Sequence, residues 1–155
     1  MLETPHVLVG AAIATYIPNP LIAIPLSFAS HFVIEFVPHW NPHLNAEKKK
    51  YGKITSRSLK IIIMDSFLAL FLGLFFATRV LPNYNHFLTI ILSCFASVVP
   101  DLIEAPYFFL NINKKFLLKW VAFQKKLQND ANIYWGLATQ LITAATAIWW
   151  ILQSH

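Results

Sequence analysis

Six ionisable residues lie inside or at the ends of strongly apolar stretches: His6, His31, Glu35, His39, Asp65 and Asp101. The densest group is His31-x3-Glu35-x3-His39, within the run PLSFASHFVIEFVPHW. Titratable groups in hydrocarbon are costly, so they usually have partners and usually carry function. Imidazoles and carboxylates together are the ligand set of Zn, Mn or Fe. These residue types therefore point to a buried metal site.

Residues i and i+4 share a helix face, so His31 and Glu35 can hold one ion together. On a continuous helix His39 would lie about 12 Å further along the axis than His31, too far for the same ion. Pro38, however, disfavours a helical Val37 and ends the helix there, so His39 can fold back or serve a second ion. Asp101 follows Pro100, which weakens a helix locally and exposes backbone to a polar cavity. Glu104, one turn later, is a candidate ligand, an acceptor for an imidazole N–H, or a general base. Six or seven candidate ligands exceed the roughly three protein ligands plus water of a typical catalytic metal. Two ions with a bridging carboxylate are expected.

Each residue also has a blander role open to it. His6 and His39 suit an interface, His31 and Glu35 a hydrogen-bonded helix pair, and Asp65 an ion pair with Arg57 or Lys60. His43, His86 and His155 lie in loops or at the tail, where solvation is the simpler reading. Burying several unpaired acids would be prohibitive, so the cluster argues more strongly than any one member.

Five apolar segments must position these groups: residues 6–17, 21–37, 59–78, 85–110 and 131–152. A spanning helix needs about 20 residues. The last three qualify, the second just does, and the first is short enough to be tilted or half-inserted. Gly10, Ala11, Ala12 and Ala14 would let that first segment pack closely against a neighbour. The turn 16–20, with Pro18, Asn19 and Pro20, makes the first two segments antiparallel.

The composition fits an integral membrane protein of one domain, residues 1–155. It is 57% hydrophobic and 12% charged, where a soluble domain is nearer about a quarter charged. The single Cys94 excludes an intramolecular disulfide. No Lys or Arg precedes Lys48, so the first segment lacks the basic flank of a signal peptide and reads as mature protein. Two connections are basic, one with Lys48, Lys49, Lys50, Lys53, Arg57 and Lys60, the other with Lys114, Lys115, Lys119, Lys125 and Lys126. The opposite turns hold only Arg79 and His86. The positive-inside rule puts both basic connections and the N-terminus in the cytoplasm and the C-terminus outside the inner or plasma membrane.

Depth agrees with this charge bias. His6 starts the first segment, and His31, Glu35 and His39 end the second. Asp65 is six residues into the third, and Asp101 nine from the end of the fourth. At about 1.5 Å per residue all lie within roughly 14 Å of the cytoplasmic interface.

Thr4-Pro5-His6 leading to Gly10, Ser30-His31-Phe32 through Glu35, Pro38-His39-Trp40, the buried Asp65 and Pro100-Asp101 resemble the YdjM-like membrane-bound metal-dependent hydrolases. The resemblance spans residues 6–107. Members commonly carry His-x3-Asp before Pro-His-Trp-Asp; here Glu35 replaces the first Asp and Asn41 the second. That family is distantly similar to zinc-dependent phospholipases C, whose His-x3-Asp and His-x3-Glu pairs surround a metal cluster.

The expectation is an all-α polytopic membrane bundle that hydrolyses a phosphoester, most plausibly in a lipid. His6, His31, Glu35, His39, Asp65 and Asp101 would bind one or two divalent transition ions. Zn is the first choice, with Mn and Fe as alternatives. Glu104, with Glu35, would orient or deprotonate water. A metal or proton carrier and a non-catalytic structural protein are the competing readings. Lysines of the basic connections would gather an anionic headgroup, and no nucleic-acid reader motif is present.

Overall fold

The computed structural model describes residues 1–154. Among them are seven helices and no strand: α1 Glu3–Tyr16, α2 Pro20–Ile34, α3 Leu44–Tyr51, α4 Ser56–Thr78, α5 Tyr84–Phe109, α6 Lys115–Leu127 and α7 Ile133–Leu152. Three of them, α4, α5 and α7, are long and apolar enough to cross a membrane. The five segments of the sequence thus resolve into three full-length spans and two shorter helices. At about 1.5 Å per residue, the 14 residues of α1 make about 21 Å, well short of the roughly 30 Å hydrocarbon layer.

The short first helix is the hub of the bundle. It packs against α2, α4, α5 and α7 and buries Thr4 to Leu8, Gly10 to Ala12, and Ala14. Its small residues are the reason. A Cβ added to Gly10 would fall 2.8 Å from the Ser93 carbonyl oxygen and 3.0 Å from Ser97 Oγ on α5. Only glycine admits that approach of the two backbones. By contrast, α4 turns Met64, Phe67, Phe71 and other large apolar side chains outward. In water such a face would be a liability; in lipid it is the solvent-facing side.

The two basic connections carry helices of their own, α3 and α6. α6 is amphipathic, with Leu117, Val121 and Gln124 buried and its lysines outward. Trp120 Nε1 donates to the Pro100 carbonyl at 3.0 Å, which docks α6 on α5. On the opposite end of the bundle, His86 bonds the Ala14 carbonyl at 2.9 Å and Tyr16 donates to Trp150 at 3.0 Å. His86 therefore ties α5 to α1 and is not freely solvated; His155 lies outside the described residues.

Candidate metal centre

Five structural elements converge at the end of the bundle that carries α3 and α6. The first turns of α1 bring Glu3 and His6. The last turn of α2 brings His31, with Glu35 as its C-cap. α4 brings Asp65, α5 brings Asp101 and Glu104, and α6 brings Gln124. The helix α2 stops before Pro38, and His39 folds back as that proline implies: its Nε2 lies 3.6 Å from Glu35 Oε2.

The loop that holds His39 is fastened on both sides. His39 N–H donates to the Asn129 carbonyl at 3.0 Å, and Ala131 N–H donates to the His39 carbonyl at 2.9 Å. Thr139 Oγ1 donates to the Pro38 carbonyl, and Gln140 Nε2 donates to the Trp40 carbonyl at 2.8 Å. Gly136 makes this contact with α7 feasible, because a Cβ there would sit 2.8 Å from the His39 carbonyl carbon.

The hydrogen bonds assign the imidazole tautomers. His31 Nδ1 is 2.8 Å from the Ser97 carbonyl oxygen, and His39 Nδ1 is 2.8 Å from that of Val37. A carbonyl only accepts, so each Nδ1 carries the proton and each Nε2 a lone pair. Imidazoles that ligate metals are oriented in this way. The lone pair of His39 Nε2 is buried with no hydrogen-bond partner and faces a carboxylate oxygen. That of His31 lies 3.7 Å from Asp101 Oδ1. Two acceptors facing one another repel unless a cation or proton lies between them. Gln124 Nε2 partly answers this at His31, at 3.2 Å from His31 Nε2 and 3.3 Å from Asp101 Oδ1.

His6 joins the two pairs. Its ring stacks on that of His31 with centroids 4.1 Å apart. Its Nε2 is 3.3 Å from Glu35 Oε1, while its Nδ1 is buried without a partner. One ligand atom from each of His6, His31 and Asp101 lies within 4.8 Å of the others, so this buried group could hold a metal ion. His6, His31, Glu35 and His39 are each no more than 2% exposed. The Met1 amino group also contacts Glu35 Oε1.

Asp65 is placed differently. It accepts Glu3 N–H at 2.5 Å and the Thr4 hydroxyl at 2.7 Å, so its carboxylate caps the positive end of α1. It pairs with neither Arg57 nor Lys60. Glu104 is 8% exposed, and its Oε1 has no partner.

A cavity of about 630 Å³ lies beside this group and meets it at Asp101; Glu3, Asp65, Glu104, Lys49 and Lys125 are among its other lining residues, and His6, His31, Glu35 and His39 lie outside the lining. Asn41 lines it too, with a buried, unpartnered Oδ1. Sequence reasoning missed Glu3 and Gln124. The signals were present: Glu3 is one turn before His6 on the same helix face, and Gln124 is the one polar residue in the buried stripe of α6. No family model, no curated protein and no solved structure matches the chain.

Proposed function

We propose that this chain is a membrane-embedded, metal-dependent hydrolase of phosphoesters, with a lipid as substrate and its site at the cytoplasmic interface. The observation that carries the reading is the buried His6, His31 and Asp101 group, with unpartnered lone pairs beside it and its Asp101 lining a cavity. Membership of the membrane-bound metal-dependent hydrolases, the family that the motifs resemble, belongs to the same proposal. A bound transition metal would supply Lewis acidity and bring the pKa of a coordinated water to about 7.

The residues then have distinct tasks. His6, His31 and Asp101 would hold a first ion, preferably Zn. Glu35, which lies between His6 and His39, would hold a second or share the first. Glu104 projects an unpartnered carboxylate oxygen beside the cavity, where it would take a proton from water. Lys49 and Lys125 would guide an anionic headgroup. The charge bias of the connections supports a cytoplasmic N-terminus and an external C-terminus.

A proton or metal carrier is the second reading. It is favoured by Ser27 and Ser93, which are fully buried beyond the imidazoles and whose hydroxyls lack partners. Metal analysis and lipid cleavage separate the two. Protein purified in mild detergent should carry one or two ions of Zn, Mn, Fe or Co per chain. Glu35→Gln and Asp101→Asn should each lower metal affinity about 10–100-fold and abolish chelator-sensitive phosphate or headgroup release. Both variants should still insert, because removing a buried charge lowers the cost of burial. Absence of metal after resupply, or cleavage that persists in both variants, would overturn the proposal. Ion flux into proteoliposomes without cleavage would favour the carrier.

A further inference from the structure

Of the seven acids in this chain, five line one cavity: Glu3, Asp65, Asp101, Glu104 and Asp130. The protein as a whole carries a formal charge of +5, so this is a strong local inversion of sign. Three of these acids have partners in the fold, Asp101 through Gln124 and His31. Asp65 caps α1, and Asp130 pairs with Lys125 at 3.5 Å in the open. Two further cations line the same cavity, but the Met1 ammonium contacts Glu35 and Lys49 makes no ion pair among the described residues, while nearby Lys48 donates to the Tyr107 carbonyl at 2.6 Å and Asn111 Oδ1 at 2.7 Å. Among the described residues, no ion pair reaches Glu3 or Glu104. Each instead presents a buried oxygen with no partner, Oε2 of Glu3 and Oε1 of Glu104, and Glu104 is itself more than nine-tenths buried.

Unpaired carboxylates in a poorly solvated cavity are unfavourable, and several of them together are more so. Protons or a cation must balance them. Asp101 and Glu104 stand three apart on α5, hence on one face, and Glu3 arrives on the same cavity from α1. Asp101 turns Oδ1 towards His31 and Gln124 and also lines the cavity with the other acids.

We propose that Glu3, Asp101 and Glu104 form an oxygen-only site for a hydrated hard divalent cation, Mg²⁺ or Mn²⁺, beside the imidazole centre. The donor set is all oxygen, which suits these ions and not Zn. Among the described residues, the imidazole group is the one that closes to within 4.8 Å. The three carboxylates do not close to that distance, so water would have to complete the coordination, as it does for Mg²⁺. The inference deepens the hydrolase reading and rests on it: an acid-lined cavity repels a phosphate group, and a second cation at this place makes the cavity receptive to one. Asp101 is the carboxylate shared between the two positions.

The test uses the intact protein in detergent, with Mn²⁺ as the probe of the acid site and Co²⁺ as the probe of the imidazole site. Free Mn²⁺ is read by electron paramagnetic resonance and bound Co²⁺ by its visible absorption. Mn²⁺ should bind, Mg²⁺ should displace it, and Glu3→Gln with Glu104→Gln together should weaken it by about tenfold or more. The Co²⁺ spectrum should stay as in wild type in that variant, and should be lost in His31→Gln. Glu104→Gln alone provides the same readout if the double variant unfolds. Mn²⁺ affinity that is absent, or unchanged in either variant, overturns the inference and means that protons balance these acids. Co²⁺ binding that ignores His31→Gln overturns the hydrolase reading instead.

Discussion

Each imidazole of the cluster divides its work between two nitrogens. One is committed to a carbonyl or carboxylate, and the other is left as a buried lone pair. For His39 this depends on a loop that lies against α7 at Gly136. Gly136→Ala would set a Cβ 2.6 Å from Trp40 Cβ and 2.8 Å from the His39 carbonyl carbon. Neither atom is the tip of a flexible side chain, so the loop must move. The expected result is a loss of about 1–3 kcal/mol in stability with weakened metal retention, read by thermal unfolding and metal analysis. Gly52→Ala is the control: it meets nothing within 4 Å, although its positive φ of 70° costs about 1 kcal/mol. It should destabilise while metal content stays unchanged. Which residues are titratable and apolar-flanked could be read directly from the sequence, and Pro38 marked the helix end but left open whether His39 folds back or serves a second ion. The nitrogen tautomers could not, because the accepting carbonyls of Ser97 and Val37 are backbone groups with no sequence signature. Asp65 shows the same limit. Its place in an apolar segment was readable, but it is only half-buried, and its partners are the N–H groups of Glu3 and Thr4 and the Thr4 hydroxyl, on a helix far away in sequence.

Hydropathy located the long helices α4, α5 and α7 because their apolar faces are continuous. It could not distinguish a helix facing lipid from one facing protein: the length of the first segment rules out a full span, as found, but does not reveal that α1 is the centre of the bundle. Gly10, Ala11, Ala12 and Ala14 were the better indicator. Helices α3 and α6 lay hidden in the basic connections: α3 buries no residue at all, and the lysines of α6 mask a stripe of only Leu117, Val121 and Gln124. The α3 helix earns its place through Glu47. Its carboxylate accepts Thr55 N–H at 2.9 Å, the Thr55 hydroxyl at 3.1 Å and the Ser58 hydroxyl at 2.6 Å. Burial acts to raise the Glu47 pKa, but the hydrogen bonds from Ser58 and Thr55 outweigh it and hold the carboxyl below its ordinary value. A lowered folded-state pKa means that this fastening is fully present above the ordinary carboxylate range and disappears only as pH falls through the lowered value. Glu47→Ala should therefore cost about 1 kcal/mol at neutral pH. Thermal unfolding in detergent should show the gap to wild type holding down to about pH 5 and closing below it. A gap already closed at about pH 6 would contradict this role.

Across the whole chain, charge is sorted by place. The cluster, the cavity and helices α3 and α6 share one end of the bundle, while among the described residues Arg79 and His86 are the basic side chains near the other. A folded protein in water has no reason to keep its bases at one end; a protein inserted with a defined direction does. The expected orientation puts α3 and α6 in the cytoplasm, where anionic lipids add about 1 kcal/mol of attraction per basic residue near the surface. Single cysteines test this in a Cys94→Ser background, and the native Cys94 is buried in any case. Lys50→Cys and Lys115→Cys replace exposed residues of α3 and α6, and Gln153→Cys an exposed one after α7. In intact cells an impermeant maleimide should label position 153 and spare 50 and 115; after permeabilisation it should label all three. Labelling of 50 and 115 from outside, with 153 protected, would reverse the direction and move the cavity to the external leaflet. On the proposed lipid hydrolysis the substrate would then come from that leaflet, so the same labelling pattern distinguishes the two pools of lipid that the proposal could draw on.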